Sequence, residues 1–228
     1  MTAEDIVVLK DTHVHSLESH LGELLRAERN DTPTPEGRCT ISRISQTLAG
    51  RPGPAPRAIL MAGLQGAGKT TLARALEQAG FRRLCPDEEM FHRYGHYGRD
   101  FPRGEFLVRE APVLRDIARE VQQLLAAGHE VVVDHGFWTP KERASWAATV
   151  MEAGGEPVLI YLPASHEVRW ERIRERNARS LVDANSISFS EEDLVRHAGR
   201  FCPPTSDEPH IVYAGQPEAV LAALNVNT

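Results

Sequence analysis

The stretch that most limits how this chain can fold is Ala58 to Ala79, AILMAGLQGAGKTTLARALEQA. Gly63, Gly68, Lys69 and Thr70 stand at the spacing G-x-x-x-x-G-K-[ST], that of a phosphate-binding loop. The glycines let successive backbone N–H groups turn inward onto an anion, and the helix that opens behind them presents its positive end to the same point. The flanks agree with this. Ile59, Leu60 and Met61 form a short apolar run suited to a buried strand, and Leu72, Ala73, Leu76 and Ala79 recur at helical spacing. Gly63, Gln65, Gly66, Ala67, Gly68, Lys69, Thr70 and Thr71 are therefore the expected nucleotide cradle. Lys69 is expected to reach the β- and γ-phosphates of a nucleoside triphosphate, and Thr70 to offer its hydroxyl to Mg²⁺.

The rest of the chain repeats a strand–helix alternation. Phe81 to Cys85 reads as a second strand, which delivers Asp87 to its C-terminal end. A helical stripe through Leu114, Ile117, Ala118, Val121, Leu124 and Leu125 stops at Gly128, and Glu130 to Asp134 is a valine strand closed by an acid. Thr139, Pro140 and Glu142 carry the signature of a capped helix start. Val158 to Leu162, His210 to Tyr213 and a helix from Pro217 complete an α/β pattern that implies a parallel sheet covered on both faces. Phe91 to Arg103, rich in His, Arg, Tyr and Gly, lacks periodicity and reads as a surface segment beside the acceptor. Arg169, Arg172, Arg176 and Arg179 fall on roughly one face of the helix after Ser165.

Composition narrows the alternatives. With 228 residues the chain suffices for one α/β domain and an appendage, and its net charge of −6 does not advertise a polyanion partner. Three cysteines without C-x-x-C spacing suggest neither a disulfide framework nor a zinc site, which fits a reducing cytoplasm. No apolar run approaches membrane-spanning length, and MTAEDIVVLKD lacks the form of a signal peptide. Residues 1–56 read as a helical N-terminal extension and linker, with 57–228 as the P-loop domain. His13, His15 and His20 in that extension lack the further ligands of a metal site, and one helix would turn them to different faces.

Phosphoryl transfer requires a nucleotide cradle, a metal, a group that orients the attacking hydroxyl, and positive charge on the migrating phosphoryl. Asp87 is placed to accept the hydroxyl proton, and Asp134 to stand beside Thr70 at the metal or to contact the acceptor. Arg172 and Arg176 are the expected catalytic cations. His135 and Arg143 are expected at the acceptor, with a structural histidine and a solvated arginine as the alternatives.

In order, GLQGAGKT, the CPD of Cys85 to Asp87, VVVDHGF, ERIRERN and RFCPPTSDE resemble the small P-loop kinases grouped around chloramphenicol phosphotransferase, zeta toxin and the kinase domain of polynucleotide kinases. The resemblance spans about Arg57 to Leu224. It implies a three-layer P-loop fold with an adenylate-kinase-like sheet of about five parallel strands and a lid at about 177–200. It also implies transfer of the ATP γ-phosphate to a hydroxyl with Asp87 as general base, Lys69 and Thr70 on phosphate and Mg²⁺, and Arg172 and Arg176 at the lid. The scarcity of basic residues around Asp87 and in the lid favours a small-molecule acceptor over a nucleic acid. A polynucleotide 5′-hydroxyl kinase and a nucleotide-dependent switch or accessory ATPase remain the alternatives.

Overall fold

The computed structural model describes residues 54–178 and 187–226. The expected extension over 1–56, its histidines, Arg179 and the first half of the expected lid lie essentially outside that range.

Five parallel strands form one sheet in the order β2-β3-β1-β4-β5. They are β1 (Arg57–Ala62), β2 (Arg82–Leu84), β3 (Val131–Gly136), β4 (Glu156–Tyr161) and β5 (Ile211–Val212). The helices between them are α1 (Lys69–Gln78), α2 (Pro86–Tyr94), α3 (Phe106–Ala126), α4 (Pro140–Glu152), α5 (His166–Ala178), α6 (Glu191–Ala198) and α7 (Pro217–Ala223). The predicted five-stranded parallel sheet is the one found.

Two apolar layers explain why β1 is central. Ala58, Leu60 and Ala62 point to the side covered by Val113, Ile117, Val121 and Leu125 of α3 and by Trp146 and Val150 of α4. Ile59 and Met61 point the other way, onto Leu72, Ala73 and Leu76 of α1 and Val220 and Leu221 of α7. In β3, Val131 and Val133 join the first layer and Val132 the second. Alternation by two along a strand whose both faces are covered produces this division, and it leaves only the strand ends for polar chemistry.

Those ends carry two local departures. Leu60 pairs with Val133 but Met61 pairs with Gly136, so Asp134 and His135 sit in an irregularity of β3. Bulges of this sort re-aim side chains at functional edges. The strand therefore runs two residues beyond the expected Asp134 terminus. The second departure concerns Phe91 to Arg103. Its first residues complete α2, and Phe101 is buried against the core with Tyr94 and Tyr97 packed beside it. The segment is an aromatic wall rather than a bare surface loop, because ring packing needs no helical or strand period. Within the expected lid, residues 191–198 form α6, capped by Ser190 and Asp193 and anchored by buried Leu194.

Candidate active site

The loop between β1 and α1 closes on itself as its glycines allow. Gly66 and Gly68 have φ of +79° and +106°, which side-chain-bearing residues rarely adopt, and a Cβ on Gly66 would lie 2.8 Å from the Arg169 carbonyl oxygen. Lys69 donates from Nζ to the carbonyl oxygens of Gly63 and Leu64, each at 3.0 Å. Burial holds its pKa below the ordinary lysine value against the pull of Asp134 and Asp87. The cradle fits a nucleotide in a further respect. Gln65 Oε1 and Arg169 Nη1 are buried beside it without hydrogen-bond partners, and buried polar atoms in that condition call for a ligand or water. Thr71 is exposed on the first turn of α1, away from that interior.

Thr70 and Asp134 meet here, with Thr70 Oγ1 donating to Asp134 Oδ1 at 3.3 Å. Asp134 is buried, and its other oxygen accepts from Arg83 Nε and Nη2 at 3.1 and 2.7 Å. Arg83 also pairs with Glu88 through both terminal nitrogens. The guanidinium thus fixes Oδ2 and turns Oδ1 toward Thr70. A hydroxyl and a carboxylate oxygen are the hard donors that suit Mg²⁺, which completes its shell with water and phosphate rather than a protein cage. Arg83 was not foreseen, since an arginine in a three-residue strand gives no sign of its partner.

Asp87 is the second residue of α2, set there by Pro86 at the first position and the extended Cys85 before it. Burial raises its carboxyl above the ordinary aspartate value, with His135, Asp134, Lys69 and Arg176 all in electrostatic reach. His135 lies 3.7 Å from Glu142 and edge-on to Phe137. Burial alone would lower its pKa, but Glu142, Glu110 and Asp87 carry it above the ordinary histidine value. Glu110 on α3 is the acid that sequence reasoning missed. Burial lifts its carboxyl to about 7, with His135 opposing and Asp87 and Glu142 reinforcing.

The arginines divide. Arg172 Nη1 donates to the Gly66 carbonyl at 3.0 Å, so it touches the phosphate loop. Arg176 Nη2 donates to the Ile187 carbonyl at 3.0 Å and its guanidinium lies over Phe189, within reach of Asp87 and Lys69. Arg169 is buried under the loop, with Nε on the Ala164 carbonyl at 3.3 Å. Arg143 is not the solvated arginine that was the alternative: its side chain is 2% exposed and its guanidinium is bound by both oxygens of Glu208 at 2.6 and 2.7 Å. It also donates to the carbonyls of Cys202 and Phe137. The proline-containing stretch Phe201 to Glu208 is therefore tied to the β3–α4 connection by Arg143, and its acid was the signal for that role.

Gly136 was missed as well. A Cβ there would stand 2.8 Å from Trp138 Nε1, 2.9 Å from the Gly63 carbonyl oxygen and 3.2 Å from Lys69 Cε. The end of β3 must be bare for Lys69 to lie across it. Next to Asp87 opens a small cleft of about 10 Å³ lined by Met90, Phe91, His96, Tyr97, Phe101, Phe106 and Ile187.

A phosphate loop after the central strand of a 2-3-1-4-5 parallel sheet, with acids at the ends of both strands to one side, defines a P-loop nucleotide-binding protein of the kinase type. The model of the AAA_33 family, described as an AAA domain, matches residues 59–201, and the chain belongs to that family. A shikimate kinase of Rhizobium meliloti (strain 1021) is 28% identical over 176 residues, 73% of this chain and 80% of that protein. A presumptive kinase from Chloroflexus aurantiacus superposes with a TM-score of 0.61 at 21% identity, covering 75% of this chain and 98% of that one. Kti12 of Chaetomium thermophilum, solved with ADP-AlF3, gives 0.52 at 13% identity over 75% of this chain and 95% of its own. The two structural likenesses establish the fold.

Proposed function

We propose that the protein is an ATP- and Mg²⁺-dependent phosphotransferase that moves the γ-phosphate to a hydroxyl of a small molecule, within the branch of P-loop kinases that includes chloramphenicol phosphotransferase and zeta toxin. The observation that carries this reading is the position of Asp87. One carboxylate lines the aromatic cleft and also lies in electrostatic reach of Lys69 and Arg176 on the phosphate side. A group so placed serves both substrates.

In this reading the backbone of Gly63 to Lys69 holds the phosphates, and Thr70 and Asp134 would hold the metal, which would supply positive charge to the phosphates when bound. Asp87 takes the proton of the acceptor hydroxyl as that oxygen bonds to the γ-phosphorus, and the bond from phosphorus to the bridging oxygen of ADP breaks. The raised pKa of Asp87 makes it a stronger base than an exposed aspartate. Lys69, Arg172 and Arg176 supply the positive charge that the transferring group needs. His135, held by Glu142, contacts the acceptor hydroxyl's neighbourhood beside Asp87. The kinase names of the shikimate kinase and Chloroflexus relatives support phosphotransfer as the class of reaction.

The aromatic side chains grouped beside Asp87 weigh against a switch or accessory ATPase, which needs no acceptor site. The acids around it weigh against an oligonucleotide. Among the described residues no helix is long and apolar enough to cross a membrane, and we place the reaction in the cytoplasm. The test is a γ-labelled ATP transfer screen over hydroxylated small molecules, oligonucleotides and a no-acceptor control, run with wild type and Asp87→Asn. Transfer to a small-molecule hydroxyl that Asp87→Asn abolishes while ATP still binds is the expected result. Equal turnover in the variant overturns the assignment of the base.

A further inference from the structure

Arg83 stands between Asp134 and the helix that carries Asp87. In the pairing of β2 with β3, Arg83 lies opposite Val132 and Leu84 opposite Val133. Leu84 and Val133 belong to the apolar layer under α3, and Val132 to the layer under α1. Arg83 therefore projects on the α1 side, where Thr70 meets Asp134. Its side chain is 7% exposed, and all three guanidinium nitrogens are engaged. Nε and Nη2 donate to Asp134 Oδ2 at 3.1 and 2.7 Å, while Nη1 and Nη2 donate to Glu88 Oε2 and Oε1 at 3.0 and 2.8 Å. A planar fork can grip two carboxylates at one fixed angle, which an ammonium cannot do.

The Glu88 end of this bridge holds α2. Asp87 and Glu88 are consecutive residues of its first turn, and Cys85 at the N-cap makes no side-chain cap bond. A first turn without a capping side chain frays more readily unless another group fixes it. The fork onto Glu88 supplies that fixing one residue away from Asp87. The Asp134 end acts on charge. A guanidinium bonded to Oδ2 offsets part of the negative charge of the carboxylate whose Oδ1 faces Thr70. It therefore weakens the pull on a divalent cation while fixing where that pull is exerted.

On the phosphotransferase reading above, we infer that Arg83 is a positioning residue: it holds Asp134 and the α2 turn bearing Asp87 in one fixed relation, and it lowers metal affinity in doing so. The two ends of the bridge can be loosened separately.

The test uses the full-length chain. Mn²⁺ binding in the presence of ADP is followed by electron paramagnetic resonance, α2 by hydrogen–deuterium exchange without ligand, and basal turnover by hydrolysis of γ-labelled ATP. Arg83→Met is expected to bind Mn²⁺ about tenfold more tightly, to exchange about tenfold faster in the first turn of α2, and to hydrolyse ATP about tenfold more slowly. Glu88→Gln loosens only the α2 end, so exchange should quicken while Mn²⁺ affinity stays at the wild-type value. Arg83→Lys keeps the charge and loses the fork, so Mn²⁺ affinity should return toward wild type while α2 exchange stays fast. A residue that merely supported the fold would weaken metal binding and turnover together. Mn²⁺ affinity that is unchanged or reduced in Arg83→Met, or α2 exchange that is unchanged in both Arg83→Met and Glu88→Gln, overturns the positioning role. Asp134→Asn tells the two readings apart. If it weakens Mn²⁺ binding while Arg83→Met fails to strengthen it, the role of Arg83 falls and the metal role of Asp134 stands. If Asp134→Asn leaves Mn²⁺ affinity unchanged, the metal side of the phosphotransferase reading falls, and the role of Arg83 with it.

Discussion

Replacing Arg143 by Met separates two roles that a sequence cannot tell apart. Met keeps most of the buried stem volume and removes the guanidinium. Three attachments go with it: the fork onto Glu208 at 2.6 and 2.7 Å, the 2.9 Å bond to the Cys202 carbonyl and the weaker 3.4 Å contact with the Phe137 carbonyl. Breaking a fully buried pair costs about 3–5 kcal/mol, because the surviving charge is stranded. Here the survivor, Glu208, is 28% exposed and can rehydrate by moving outward, and Cys202 is exposed, whereas the Phe137 carbonyl loses a donor in a buried place. The net loss is accordingly about 2–3 kcal/mol. For a domain of this size that lowers Tm by about 5–10 °C. Thermal unfolding followed by circular dichroism measures it, and limited proteolysis around Phe201 to Glu208 should show that stretch cut faster. ATP binding should survive, since no Arg143 contact reaches the phosphate loop. An unchanged Tm together with a raised KM for the acceptor would refute the clamp and return Arg143 to substrate binding.

Other perturbations have signs that follow from the site. Lys69→Met replaces a charge that burial disfavours, so stability should hold or rise while turnover falls by roughly 10²–10³; parallel Tm and phosphate-transfer measurements check both. Gly136→Ala should leave the fold intact by circular dichroism but push Lys69 or Gly63 aside, lowering turnover about a hundredfold; unaltered ATP affinity and rate would mean that the crowding at 2.8–3.2 Å relaxes elsewhere. Glu110 gives a pH test. Its carboxyl sits at about 7 in the folded protein, so the unfolded chain releases that proton first and the wild type loses stability as pH rises from the ordinary glutamate range to 7. Glu110→Gln should match wild type near about pH 4 and exceed it by up to about 3 kcal/mol near about pH 8. Parallel Tm–pH curves for the two proteins would contradict this.

The donor half of the site was legible because it is local. Gly63 to Thr71 is one continuous stretch whose spacing has a mechanical meaning, and its surrounding strand and helix show their periods directly. Asp87 and Asp134 could be placed because strand ends in a parallel sheet converge at one edge. What stayed hidden depends on partners distant in sequence. Arg143 finds Glu208 across 65 residues, and an arginine on a predicted helix looks the same whether it is solvated or clamped. Arg83 binds Asp134 from 51 residues away. Glu110 escaped notice because α3 begins at Phe106 and runs through Pro112, while its clear apolar stripe starts only at Leu114. The aromatic segment after α2 has no period to read, since Tyr94, Tyr97 and Phe101 pack as rings in a closed loop.

The irregularity in β3 joins these two halves. In a regular strand Asp134 and His135 would point to opposite faces of the sheet, one to each apolar layer. The register jump from Val133 to Gly136 takes both out of the ladder. Asp134 is then free to lie between Arg83 and Thr70, and His135 to lie near Asp87, Glu110 and Glu142. Gly136 resumes the pairing with Met61 at the point where Lys69 must cross. On the proposed reading, three consecutive residues would thereby serve the metal side, the acceptor side and the phosphate lysine in turn. The excess of two residues over the β1 register is what frees both side chains, so on the proposed reading the bulge matters to the site as much as any side chain does.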